Sequence, residues 1–161
     1  MLRTQFGTTG VTTRMPINKF FDPGRTAGGQ QAITTDYIFM RIEEFYLLSA
    51  EASAVIGAEN DAKQRLKDLL TIRLGSLSNA QAAVDPLSGQ ALKNFIYLQT
   101  RIEFWGEGKS YLAMKRNKAT VTRGTNHVFR SGESFLHNID EMSFQIPQTE
   151  LNNNPSITTQ N

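Results

Sequence analysis

The sequence has 161 residues, of which 39% are hydrophobic and 20% charged, a composition that fits a soluble globular domain and excludes a disordered chain. Seventeen Lys and Arg stand against 15 Asp and Glu, so an isoelectric point near 9 reflects a surplus of two charges; basic residues cluster only between Lys109 and Lys118, and no nucleic-acid partner is expected. The absence of cysteine excludes disulfides, thiolate metal ligands and a cysteine nucleophile.

Met1 to Thr35 is rich in Thr and Gly, carries Pro16 and Pro23, and lacks periodicity, which predicts an irregular lead-in. Within it, Lys19-Phe20-Phe21 reads as a short strand closed by the turn Asp22-Pro23-Gly24. No apolar run of signal-peptide length follows Met1, and the most apolar window, Phe45 to Ile56, is interrupted by Glu51 and too short to span a bilayer.

Asp36 to Gly57 predicts a long amphipathic helix. Ile38, Ile42, Phe45, Leu48, Ala52 and Val55 recur at helical spacing and are expected to face the core. Thr35 or Asp36 would cap its start, and Gly57 would end it in the left-handed conformation. After the tight link Ala58-Glu59-Asn60, Asp61 to Leu74 predicts a second helix with Ala62, Leu66, Leu69 and Leu70 on its apolar side. So short a link makes the two an antiparallel αα-hairpin, similar to a single tetratricopeptide unit. Gly75 to Gly89 reads as a polar linker with a turn at Asp85-Pro86.

Gln90 to Trp105 predicts a third helix with the stripe Phe95, Leu98, Ile102 and Trp105. Gly106-Glu107-Gly108 breaks it, and Tyr111 to Lys115 adds one or two turns. Ala119 to Gly132 is strand-like or loop, Met142 to Ile146 alternates as a strand would until Pro147, and Glu150 to Asn161 is a polar tail. The expected fold is mainly α with a loop-rich remainder.

Candidate chemistry is sparse. Glu103 and Glu107 lie four apart, the spacing at which two carboxylates share a site, as the acid and nucleophile of a glycosidase do. Arg101, Lys109, Lys115 and Arg116 lie near them in sequence, so structural ion pairing is the stronger expectation and no catalytic residue is assigned. Arg41 and Glu44 are spaced to pair along the first helix, and Glu51, among small residues, requires a partner such as Arg73 or Arg101. His127 and His137 lack companion ligands, so no metal site and no cofactor are expected. The aromatic residues that would suit a sugar ring are Phe20, Phe21, Tyr97, Trp105, Tyr111 and Phe129; Tyr97, Trp105 and Tyr111 fall on or beside helix stripes and are expected in the core.

Three stretches, in order, resemble the C-terminal part of the SusD/RagB family, the surface glycan-binding lipoproteins of Gram-negative outer-membrane uptake systems. The first is Tyr37-x-x-Met40-Arg41-Ile42-x-Glu44-x-Tyr46-Leu47-x-x-Ala50-Glu51-Ala52. The second runs from Gln99-Thr100-Arg101-Ile102-Glu103 through Gly106-Glu107-Gly108 to Tyr111, followed by Met114-Lys115-Arg116. The third is Ile146-Pro147-Gln148-Thr149-Glu150-Leu151 with Asn154-Pro155 and the closing Gln160-Asn161. Ala113 stands where an Asp is usual. The family's glycan-contacting residues lie mostly in variable loops, so none is carried over, and the ligand site stays unassigned.

The resemblance implies a binding protein without catalysis. It would capture oligosaccharides at the cell surface for a SusC-like TonB-dependent outer-membrane transporter, its partner, and would be held at the membrane by a lipid anchor on a cysteine that this chain lacks. Family members are longer and begin with a signal peptide, so a C-terminal portion is expected. Its parts would be an irregular lead-in over residues 1–35, a helical scaffold over 36–116 and a loop-rich tail over 117–161, and any apolar face left open would promote association. A tetratricopeptide-like protein-interaction module is the alternative, and a small glycosidase using Glu103 and Glu107 the third reading.

Overall fold

The computed structural model describes residues 39–159 and the strand pair β1 (Phe6–Gly7) and β2 (Met15–Pro16). The chain divides into two compact units, Met1–Met40 and Arg41–Asn161. In the first, β1 and β2 pair antiparallel, Phe6 opposite Pro16 and Gly7 opposite Met15. The expected strand at Lys19-Phe20-Phe21, its turn, and the helix cap at Thr35 or Asp36 lie outside the described residues.

The second unit is mainly helical, as expected, with helices α1 (Ile42–Val55), α2 (Glu59–Leu74), α3 (Leu77–Val84), α4 (Gly89–Glu103), α5 (Lys109–Arg116) and α6 (Gln148–Asn153). α1 starts at Ile42 because Arg41 is extended, with φ −138° and ψ 161°. It ends as predicted at Gly57, whose φ of +85° is left-handed, while the Ala58 N–H donates to the Ser53 carbonyl at 2.8 Å. These are the marks of a Schellman cap. α2 follows at once and packs back on α1, which makes the αα-hairpin.

The core corrects the predicted stripes. α1 buries Leu47, Ala50 and Ala54, and turns Ile42, Phe45, Leu48 and Val55 outward, Ile42 and Val55 to 64% and 65% exposure. Ala50 and Ala54 are small enough for α2 to approach with Ala62, Leu66, Leu69 and Leu70. Close helix approach therefore selects the small face, although the large residues make the more conspicuous pattern. On α4 Leu92, Ile96 and Thr100 are buried, with the Thr100 hydroxyl donating to the Ile96 carbonyl, and Phe95 of the predicted stripe packs against them, whereas Leu98, Ile102 and Trp105 are exposed.

Gly75 to Gly89 is not a linker. Ser76 caps α3 by accepting from the Asn79 N–H at 3.2 Å, and Ala80 and Val84 are buried beneath it. The break at Asp85-Pro86 then follows where expected. Further corrections fall in the C-terminal third. Met142 to Ile146 forms no strand but leaves a short 3-10 turn at Asp140–Met142, and α6 occupies part of the expected tail. β3 (Val121–Thr122) and β4 (Ser134–Phe135) make a hairpin with Val121 opposite Phe135, whose ring is buried. α5 anchors the segment that follows: the Tyr111 hydroxyl donates to the Met142 carbonyl, and the Lys115 ammonium donates to the His137 carbonyl and the Ser143 hydroxyl. Ala113 is wholly buried. No helix among the described residues is long and apolar enough to cross a membrane.

Candidate functional site

The densest polar cluster in the second unit joins four places in the sequence. Arg41 precedes α1, Glu43 lies in its first turn, Arg73 in the last turn of α2, and Glu103 at the last position of α4. Glu107 sits in the turn between α4 and α5, flanked by Gly106 and Gly108 at φ +77° and +76°. Side chains other than glycine resist that conformation, so the two glycines let a single carboxylate project from a tight reversal.

Arg41 donates from Nε and from the adjacent guanidinium nitrogen to the two oxygens of Glu107, at 3.0 and 3.1 Å. The same guanidinium reaches the Glu103 carboxylate and main-chain carbonyl, and comes within 3.2 Å of Glu43. Arg73 completes the set with a two-pronged contact to Glu103 at 2.8 and 2.7 Å and a bond to Glu43 at 2.7 Å. Such paired contacts match the planar fork of arginine, which lysine cannot reproduce. The Arg41 guanidinium also lies 4.4 Å from the centre of the buried Phe104 ring, a cation–π contact. The side chains of Arg41 and Glu107 keep 13% and 6% of their exposure, so this contact is largely withdrawn from water, while the Arg73 end of the network is more open.

Electrostatics fix the charge states. Burial alone would raise the Glu103 carboxyl, but hydrogen bonds from Arg73 and Arg41 outweigh it and hold the group below the usual carboxylate range. Glu43 is likewise opposed by burial, yet its backbone hydrogen bond and the two arginines hold it low. Burial would lower Arg41, and its bonds to Glu107 and Glu103 raise it instead. A general acid needs a raised carboxyl; Glu103 has the opposite shift, and both Glu107 oxygens are occupied by Arg41. Because Glu43 and Glu103 titrate lower folded than unfolded, they stabilise the fold above their unfolded values, and that contribution disappears as pH falls through the folded ones. The urea midpoint is therefore expected to be flat between pH 6 and 8 and to decline below about pH 4.5. A midpoint unchanged at pH 3 would contradict the network's role.

The expected pairings are partly redrawn. Glu103 and Glu107 are ion-paired as expected, and the partners that hold them are Arg41, which reaches both, and Arg73, which reaches Glu103. Arg41 does not pair along the helix with Glu44, which meets Lys109 at 3.1 Å. Glu51 pairs with neither Arg73 nor Arg101: Arg116 grips it at 3.0 and 3.1 Å, joined by Asn117 at 3.2 Å. Since Arg116 is 43% exposed, Glu51→Ala is expected to lower stability by only about 1 kcal/mol in urea denaturation. No sequence signal announced the link from Arg41 to Glu107, because its ends are 66 residues apart.

The aromatic candidates are dispersed. Tyr97 is half-buried under Arg101, and Tyr111 packs edge-on against Phe144 with centroids 5.0 Å apart. Trp105 is 51% exposed rather than in the core, and Phe129 is 68% exposed on the β3–β4 hairpin; Phe20 and Phe21 lie outside the described residues. Two clefts between helices hold about 30 and 20 Å³, room for water and not for a sugar ring. Among the described residues no group of three His, Asp or Glu is arranged to hold a metal, and His127 and His137 stand apart on the loops.

Among known protein families, the sequence model of the SusD family matches residues 3–161. No curated protein and no solved structure matched the chain.

Proposed function

The chain belongs to the SusD family, whose members are nutrient-uptake binding proteins and not enzymes, and on that premise we propose that it serves oligosaccharide capture for a SusC-like TonB-dependent transporter at the outer surface of the cell. In this reading residues 36–116 are scaffold, residues 117–161 are the loop-rich part that presents ligand contacts, and residues 1–35 are the lead-in. Attachment to the outer membrane would come through a lipid anchor.

The observation that supports it best is the use made of the Glu103 and Glu107 carboxylates. They are the pair that would have served hydrolysis, and both are occupied by arginine, Glu107 by Arg41 and Glu103 by Arg41 and Arg73. Arg41 belongs to the first stretch of family resemblance and both glutamates to the second, so the shared residues build a scaffold rather than a reaction centre.

The test incubates the chain with a panel of oligosaccharides, measuring binding by calorimetry and chain length of the sugar by chromatography. Binding with every oligosaccharide recovered intact is the expected result. Hydrolysis that disappears in Glu107→Gln would establish the glycosidase instead, and retention of peptides but no sugar would establish the helical interaction module. Co-purification with a TonB-dependent transporter after co-expression tests the partner.

A further inference from the structure

The β3–β4 hairpin carries features the scaffold does not use. Between Lys118 and Glu133 three cations, Lys118, Arg123 and Arg130, face one carboxylate, so the chain's whole surplus of two positive charges lies in this stretch. At its tip Val128 is fully exposed and Phe129 is 68% exposed. The tip is not slack. Arg123 and Glu133 close it through the main chain at 2.9 Å, the Gly132 N–H returns to the Arg123 carbonyl, and the Ser131 hydroxyl donates to the Thr125 carbonyl at 3.0 Å. Thr122 and Ser134 join their hydroxyls across the strands at 2.8 Å. At position 124 a Cβ would come to 2.6 Å from the Asn126 side-chain oxygen, so Gly124 makes the space that Asn126 fills.

Arg123 is the under-satisfied group. Its guanidinium lies 5.8 Å from the Phe129 ring centre and contacts the His127 ring nitrogen at 3.2 Å, while its Nε, shielded from solvent, meets no hydrogen-bond acceptor. Arg130, by contrast, is paired with Glu133 at 2.7 Å and covers Phe135. An open aromatic face beside an arginine short of acceptors, on a braced loop with net positive charge, suits a ring that is apolar on one face and anionic at its edge. A hexuronate has both properties. A bilayer surface fits less well, because the apolar tip consists of two side chains set among Thr125, Asn126 and Ser131.

We propose that the β3–β4 hairpin binds acidic saccharides, with a hexuronate ring stacked on Phe129 and its carboxylate held by Arg123. The proposal rests on the oligosaccharide-capture reading and names the ligand class and the residues. Calorimetry compares trigalacturonate with neutral galactotriose on the whole chain, on Phe129→Ala, Phe129→Tyr and Arg123→Gln. Trigalacturonate is expected to bind the more tightly, each of Phe129→Ala and Arg123→Gln to weaken it about tenfold, and Phe129→Tyr to retain it, at unchanged melting temperature. If saccharides bind but neither loss variant alters affinity, the hairpin site is overturned while capture stands. If no saccharide binds at all, both readings fall. Phe129-dependent sedimentation with phosphatidylglycerol vesicles, without trigalacturonate binding, overturns the site in favour of a membrane contact.

Discussion

Replacing Arg41 by methionine is expected to lower unfolding stability by about 3–5 kcal/mol, because Glu107 and part of Glu103 would be left buried without their cation. Total stability of a domain this size is about 5–15 kcal/mol, so the variant should be partly unfolded at 37 °C. Methionine keeps most of the stem's packing, which isolates the charge. Arg41→Lys is expected to recover little, since an ammonium cannot make the two-pronged contact to Glu107 and reach Glu103 at once. Urea denaturation at pH 7 measures all three. If Arg41→Met melts like the parent protein, the cluster is a surface decoration and the scaffold argument fails.

The second large effect belongs to Phe104. Its ring is buried to 1% exposure, lies at the C-cap of α4 and supports the Arg41 guanidinium from below. Phe104→Ala is expected to cost about 3–5 kcal/mol through the cavity and lost apolar contact. Phe104→Leu, which refills most of the volume without the π face, should cost clearly less. The two sites share one contact, so the double variant Arg41→Met/Phe104→Ala should lose less than the two single losses together. Strict additivity would show that the cation–π contact contributes nothing.

Which features could be read from the letters follows from how far apart the interacting groups are. The αα-hairpin was legible because a left-handed glycine and a three-residue link are local, and the break at Gly106-Glu107-Gly108 was legible for the same reason. The family assignment was legible from ordered short stretches. The core face of α1 was misread because periodicity weights large side chains, and here Ala50 and Ala54 are buried where Phe45 and Val55 are not; α4 carries two apolar lines, and Leu92 and Ile96 are buried where Leu98 and Ile102 are not. α3 was missed because Leu77, Ala80 and Val84 make a short, weak pattern whose stability comes from docking on α2. The partners of Glu103, Glu107 and Glu51 were out of reach, because opposite charges 30 to 66 residues apart have no spacing rule.

The Arg41–Glu107 contact also has a kinetic consequence. Helix hairpins such as α1–α2 close short loops and assemble early, whereas a contact spanning 66 residues forms only after most of the intervening chain is in place. Removing it should therefore leave the refolding rate nearly unchanged and accelerate unfolding, so that the arginine acts as a latch on the finished structure. Stopped-flow measurements on Arg41→Met would show the loss on the unfolding limb. For a protein working outside the reach of cytoplasmic chaperones, as the proposed location implies, lifetime before opening matters more than speed of assembly.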